Sequence, residues 1–369
     1  MSLQHRPEHD ELRATLRGFL ADRMAEPAVR SDVDTEPGYR AEVWRQFCAQ
    51  LGVAAIAVPE QYGGGGFGQV ELGIVLEETG AALATMPLLA TAVLGAGLLL
   101  ASGDDACCAE LLPGVAEGET TLAVAVQGHG TAWAGPQEPV LATGTGTGWT
   151  LRGEVSFVLD GASADHLLVV GRHDAGASVF LVAGTDVERT PMTTLDETRK
   201  QAVVRFAGAP ARLVGTPGDG DRALAHTLVR ARAALAAESV GVCRRMLEMA
   251  VGYAKVREQF GRPIGSFQAV KHLCSTMLIE TELATSATRM AADALDAAVP
   301  DAELQVAAAA AATADTLDLV AAEMIEVFGG IGFTWEHPAH LYYKRAVSSA
   351  RLWGGSARLR AAIFEGAAR

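Results

Sequence analysis

In the first third of the chain, apolar residues recur at three- and four-residue spacing: Leu12, Leu16, Phe19 and Leu20, then Val43, Trp44, Phe47 and Leu51. That period puts them on one face of a helix, which predicts a helical region from about Glu8 to Leu112. The most apolar run, Leu88 to Ala101, is broken by Gly95 and Gly97. It is too short to span a bilayer and reads as a buried helix. Between these helices lies a glycine-dense stretch, Val58 to Gly68, with Gly63 to Gly66 in succession. Such a run could cradle a phosphate, but no Lys-Ser/Thr follows and no strand clearly feeds it, so a plain loop is expected.

From Thr121 to about Val214 the pattern shortens into apolar, β-branched runs separated by glycine-rich turns. Leu122–Val126, Trp149–Leu151, Val155–Leu159, His166–Val170, Ser178–Val182 and Ala202–Phe206 read as strands. Gly144, Gly146 and Gly148 mark a hairpin turn, because glycine tolerates positive φ. After the turn-rich stretch Gly215 to Gly220, helices return: Arg222–Glu258, Ser266–Ala298, Asp301–Phe328, Pro338–Leu352 and Ala357–Ala367. Leu224, Leu228, Leu235, Val242 and Leu247 supply one apolar stripe, and Phe267, Val270, Leu273, Met277 and Leu278 another, as in a bundle. The alanine run Ala307 to Ala312 suits a close helix contact. The expectation is an α+β multidomain chain: a helical domain over 1–118, a β-domain over 119–218 and a C-terminal helical bundle over 219–369.

Composition removes several classes of function. The chain has 369 residues, 49% hydrophobic and 20% charged, with 14 Pro, which excludes bulk disorder and a disulfide mini-protein. A net charge of −14 opposes attraction to nucleic acid or an anionic membrane, and neither is expected as a partner. The cysteines Cys48, Cys107, Cys108, Cys243 and Cys274 are odd in number with no CxxC, so free thiols in a reducing compartment are expected. The charged N-terminus resembles neither a signal nor a transit peptide, which points to the cytoplasm. Nine histidines are scattered without HExxH; His337 and His340 flank Pro338 and read as cap or surface residues, and no metal site is expected.

Two segments carry more specific information: Val256 to His272 (VREQFGRPIGSFQAVKH) and Glu326 to Pro338 (EVFGGIGFTWEHP). Each sets a glycine-containing turn between long helices. The first is predicted to end a helix at Gly261 and to start another capped by Ser266, presenting Arg257 and Gln268 at a corner. A guanidinium there suits a diphosphate. An ordinary helix hairpin with a solvated arginine fits the residues equally well.

In these segments the chain resembles the acyl-CoA dehydrogenase family. The first is similar to its REQFGRPIGSFQAVKH signature and the second to its GGIGFTWEH region. Val58 to Gly66 resembles its VPEQYGGxG loop, and Gly153 to Asp165 its β-domain GxKxxIxNGxxAD stretch. The resemblance implies an N-terminal helical domain, a central β-domain and a C-terminal four-helix bundle, in a dimer or dimer of dimers. It also implies FAD lying between two subunits, with an electron-transferring flavoprotein-type acceptor. By resemblance, Arg257, Phe260, Gln268, Glu326, Gly329 and Gly330 contact the diphosphate and adenine half of a neighbour's FAD, and Phe157 the flavin ring. Glu326 stands where the family commonly has Gln, which sets an acid beside an anionic cofactor.

The implied reaction is α,β-desaturation of an acyl-CoA thioester, in lipid or steroid side-chain metabolism, and it needs a positioned carboxylate as base. The family's usual base position, in a YEGT-like turn, falls here on Trp353 or Gly354 of Leu352-Trp353-Gly354-Gly355-Ser356. Its second position falls on Ala231. Neither offers a carboxylate. The TEPxxGSD flavin-contacting stretch corresponds only weakly to Val126-Gln127-Gly128-His129-Gly130-Thr131-Ala132, and the aromatic-Ile-Thr beside the flavin ring to Phe157-Val158-Leu159, which lacks the hydroxyl. Losses confined to the chain's own site resemble the non-catalytic subunit of actinobacterial heterotetrameric acyl-CoA dehydrogenases, which pairs with a related catalytic chain. The stretch Thr194 to Arg199 is also similar to that group. Two alternatives stand beside this reading: a self-sufficient homomer whose base is Glu238 or Glu336, and a flavin-free scaffold of the same fold.

Overall fold

The computed structural model describes residues 7–126, 139–146 and 148–367. Helices come first: α1 (Pro7–Arg23), α2 (Glu26–Val33), α3 (Ala41–Leu51), α4 (Gln69–Ala81), α5 (Ala96–Ser102) and α6 (Asp105–Ala116). The apolar run before α5 is helical as expected, but Leu89–Gly95 is wound as a π-helix. Leu98 and Leu99 at its continuation are fully buried.

Seven strands follow: β1 (Leu122–Ala125), β2 (Leu141–Thr145), β3 (Gly148–Leu159), β4 (His166–His173), β5 (Gly176–Ala183), β6 (Glu188–Pro191) and β7 (Gln201–Val214). The two runs Trp149–Leu151 and Val155–Leu159 are one strand, and β2 and β6, which have few large apolar residues, escaped the pattern. Strand order is β1-β4-β2-β3-β7-β5 with β6 on β7, and β5 also pairs with β4, so the sheet returns on itself. Its interior is filled by Leu151, Leu167, Phe180, Val204 and Phe206. The glycine triplet does form the β2–β3 hairpin, with Gly144 opposite Trp149 and Gly146 at φ 58.

The chain then runs through α7 (Gly220–Val256), a small ladder of β8 (Glu258–Gln259) and β9 (Arg262–Pro263), α8 (Gln268–Asp296), α9 (Ala302–Phe328), α10 (Ala339–Ser349) and α11 (Gly355–Ala367). Small residues let α9 pack closely: Ala309 and Ala311 from the alanine run are buried. Contacts gather the chain into two compact units. The first holds the described residues of Met1–Val29, Gly73–Ala84 and Arg232–Arg369; the second holds Arg30–Leu72 and Thr85–Ala231.

In the first unit two buried acids on α4 organise the helices. Glu77 takes Arg13 at 2.5 Å and Arg244 at 3.4 Å; Glu78 takes Arg17 at 2.8 Å and Arg244 at 2.9 Å. Burial alone would raise the Glu78 carboxyl, but the Arg17 hydrogen bond and the charges of Arg244, Arg17 and Arg13 outweigh it and hold it below the usual range. A depressed folded-state value stabilises the fold above the unfolded carboxyl's value of about 4.3, and that stabilisation is lost as pH falls through the folded value. The urea midpoint should therefore drop as pH falls below about 4. Glu78→Gln should lower the neutral-pH midpoint and flatten this acid limb, which parallel urea titrations at pH 7 and pH 3.5 would check.

In the second unit the glycine-dense stretch is a loop closed on itself. The amides of Gly64, Gly65 and Gly66 donate to the carbonyls of Pro59, Ala55 and Val58. A Cβ on Gly64 would stand 2.0 Å from the Val58 oxygen, so only glycine fits that close approach. Amides spent in this way are not offered to a phosphate.

Candidate functional site

The signature segment departs from the expected corner in one respect. α7 ends at Val256, before Gly261, and the residues after it form a hairpin in which Glu258 pairs with Pro263 and Gln259 with Arg262. Its two turn residues, Phe260 and Gly261, have φ of 54 and 74, the pair of positive angles that a tight hairpin of this twist demands. Glycine adopts this freely; phenylalanine does so at a cost and is 92% exposed. The expected Ser266 cap is also corrected: Ser266 lies in a 3-10 turn, and Phe267 occupies the N-cap of α8 with no side-chain cap bond. The pull of the hairpin, which bonds the Ile264 amide to the Arg257 carbonyl, sets that entry.

Around this hairpin the sequence-predicted residues converge at one end of the first unit. Phe260 meets Phe267 edge to face at 6.0 Å, and the Arg262 guanidinium lies over the Phe267 ring at 4.1 Å. Gln268 follows directly at the start of α8, within 3.4 Å of His272. Tyr253, one turn before Arg257, stacks on Phe328 at 4.7 Å, and Phe328 is the residue before Gly329. Gly329 has φ 62, which a side chain would strain, and a Cβ on Gly330 would meet nothing. Arg257, Gln268, Glu326, Gly329 and Gly330 are all exposed. Among the described residues the Arg257 guanidinium has no acidic partner, so a cation, an amide, an aromatic ring and open backbone are all available to a ligand. Those groups fit the diphosphate and ring system of a dinucleotide flavin.

Glu326 sits one helical turn from Glu323 on α9. Desolvation, and then the charge of Glu326, pushes the Glu323 carboxyl above its usual range. Two acids at this edge make it less receptive to phosphate than Gln would.

Phe157 lies on the sheet of the second unit. The β3–β7 register slips between Val155 and Val158, and Phe157 sits in that bulge at φ 63, half-buried. Bulges re-aim a side chain, and this one was not legible from the alternation of β3. The stretch from Gln127 to Ala132, weakly matched to a flavin contact, lies outside the described residues.

The residues at the expected base positions are well defined. Ala231 is fully buried on α7; Trp353 is buried with φ 55 and ψ 33; Gly354 has φ 124. None carries a carboxylate. Of the substitutes weighed from sequence, Glu238 is buried and held at 3.0 Å by Arg345, itself 1% exposed, and Glu336 is exposed beyond α9. The remaining motif residues have structural roles. Asp196 accepts from the Thr198 amide at 3.0 Å as a loop brace, and His337 accepts the Ala339 amide at 3.2 Å at the start of α10. Four of the five cysteines are buried, and burial pushes the Cys48 and Cys108 thiols up to about 12. No described helix is long and apolar enough to cross a membrane.

Residues 6–119 match the acyl-CoA dehydrogenase N-terminal domain and residues 218–367 the acyl-CoA dehydrogenase C-terminal domain. The chain is 34% identical over 346 residues to the acyl-CoA dehydrogenase IpdE2 of Mycobacterium tuberculosis, covering 94% of this chain and 92% of that one. It belongs to the acyl-CoA dehydrogenase family. Among solved structures it is similar to the ChsE4-ChsE5 complex of Mycobacterium tuberculosis, with 30% identity, a TM-score of 0.91, and coverage of 100% of this chain and 99% of the other. The Tcur3481-Tcur3483 steroid ACAD gives 30% identity and a TM-score of 0.86 over 98% of this chain and 99% of that one. Membership accounts for the order of the domains, N-terminal helices, central β-domain and C-terminal helices, and places the chain in a family of flavin oxidoreductases whose homologues are FAD-dependent.

Proposed function

We propose that this chain is the base-less subunit of a heteromeric, FAD-dependent acyl-CoA dehydrogenase and completes the FAD site of a related catalytic partner. The observation that carries this reading is an asymmetry: Ala231, Trp353 and Gly354 offer no proton acceptor, while the end bearing Arg257, Phe260, Gln268, Gly329 and Gly330 is exposed. Bound there, FAD would supply an acceptor for the hydride leaving the substrate's β-carbon. This chain's part is to hold the cofactor's anionic half with Arg257 and Gln268, to admit it closely at Gly329 and Gly330, and to cover it with Phe260. The partner supplies the carboxylate that removes the α-proton.

The two-chain names of ChsE4-ChsE5 and Tcur3481-Tcur3483 support a pair of unlike subunits, and the steroid ACAD supports a steroid side-chain CoA thioester as the substrate class. An electron-transferring flavoprotein would reoxidise the flavin, and the buried free thiols suit a reducing cytoplasm.

The test is flavin absorbance per chain, with turnover of steroid and fatty acyl-CoAs using an artificial acceptor, for the chain alone and coexpressed with related chains. Substoichiometric flavin and no turnover alone, both restored by one partner, are expected. Full flavin and turnover alone would instead establish a self-sufficient enzyme, and no flavin in any assembly a scaffold. Arg257→Ala should lower FAD retention in the assembled complex about tenfold or more, the scale of one charge-assisted contact. Equilibrium dialysis of the complex measures it, and unchanged retention removes this role for Arg257.

A further inference from the structure

The first unit also contains a cleft of about 380 Å³ that the flavin end and the base turn leave unused, walled by residues of α1, α2, α4, α7 and α10 and their flanks. That volume suits a small organic molecule. Leu20, Met24, Leu83, Met249 and Leu341 make its floor apolar, and the two methionines can adapt to the shape of a guest. Leu83, just past α4, is held at φ 49, in the left-handed region that a bulky residue rarely enters. Strain of this kind gathers at ligand sites. The polar wall carries an excess of positive charge. Arg13, Arg17, Arg244 and Arg289 share only Glu77 and Glu78, at separations up to 3.7 Å, which leaves two charges over; Glu26 offsets one of them. The balance stays positive in a chain whose net charge is −14. Arg245 meets Glu248 at 3.3 Å, and both are about half exposed. Tyr342 positions that guanidinium: its hydroxyl donates to the Ala81 carbonyl at 2.7 Å and accepts from Arg245.

We propose that this cleft binds an amphipathic carboxylate, with its apolar body on Met24, Leu83 and Met249 and its head group on Arg245. An exposed ion pair such as Arg245–Glu248 contributes little, so an incoming carboxylate can take the place of Glu248 and gain a charge-assisted contact. The body leaves water for a floor that is already formed. A cationic head of the same length would meet the excess positive charge instead. None of the lining residues belongs to the flavin end or the base turn, so this reading and the subunit role fail separately.

The experiment is isothermal titration calorimetry of the full chain with sodium octanoate, octylamine hydrochloride and sodium acetate at matched ionic strength. Octanoate should bind saturably at a single site, octylamine about tenfold or more weaker, and acetate, which has no apolar body, not at all. Arg245→Gln should raise the octanoate Kd about tenfold, the scale of one hydrogen bond to a charged group. Glu248→Gln removes the competing acid and should lower that Kd. Ala21→Phe, at an exposed position of α1 on the cleft wall, should fill the cleft and abolish binding. Urea midpoints of the three variants close to that of the unaltered chain keep these losses apart from unfolding. Octylamine binding as tightly as octanoate, or octanoate affinity kept in either Arg245→Gln or Ala21→Phe, overturns the site, as does an absence of octanoate binding.

Discussion

Replacing Glu238 with Ala is expected to cost about 3–5 kcal/mol of stability, because it removes the acid that stands 3.0 Å from the buried charge of Arg345. The two side chains are 8% and 1% exposed and 3.0 Å apart, and Arg345 is among the largest fully buried side chains in the protein. Urea denaturation measures the loss, and the double variant Glu238→Leu/Arg345→Met should recover most of it, since an apolar pair of similar volume has no charge to desolvate. The same residue separates two accounts of the chemistry. If Glu238 were the base, Glu238→Gln in the assembled complex would cut turnover by roughly 10²- to 10⁴-fold. A structural ion pair predicts turnover per folded complex within a few-fold of the unaltered enzyme.

The second large effect is a reversal of sign along one helix. A Cβ on Gly241 of α7 would stand 1.8 Å from the Glu77 carbonyl oxygen, and a Cβ on Gly80 of α4 2.2 Å from the Glu238 carbonyl oxygen. The two helices therefore cross backbone to backbone, each through a glycine of its own. Gly241→Ala must push α4 away, and with it the Glu77 and Glu78 carboxylates that gather Arg13, Arg17 and Arg244. The expected loss is about 3 kcal/mol or more, beyond ordinary overpacking because a helix and not a side-chain tip has to move. Gly252, eleven residues along the same helix, is exposed, and its added Cβ would meet nothing within 4 Å. Gly252→Ala should stabilise by about 0.5–1 kcal/mol through helix propensity alone. Paired urea titrations decide both, and an equal response at the two positions would discard the close crossing.

Glu238 shows how far a sequence reaches. Its spacing on α7 gives a poor position for a base, two turns from Ala231. That it is occupied by Arg345, 107 residues away, is settled by packing alone. Gly241 and Gly252 are alike in sequence, two glycines in one helical pattern; what separates them is the backbone of α4 lying against one and not the other.

By itself the sequence determined the succession of helices, strands and helices, because periods of 3.6 and 2 are local consequences of which face is buried. It also determined the family, and the lack of a carboxylate at either expected base position, since both depend on residue identity and order. Only the tertiary structure decided that α7 stops at Val256 in favour of a two-residue hairpin, that a bulge turns Phe157 out of register, and that Arg232 reaches the Trp353 carbonyl. Each of these joins groups distant in sequence or spends a positive φ on a bulky residue. Local propensity opposes such features, and only the sum of long-range contacts can hold them.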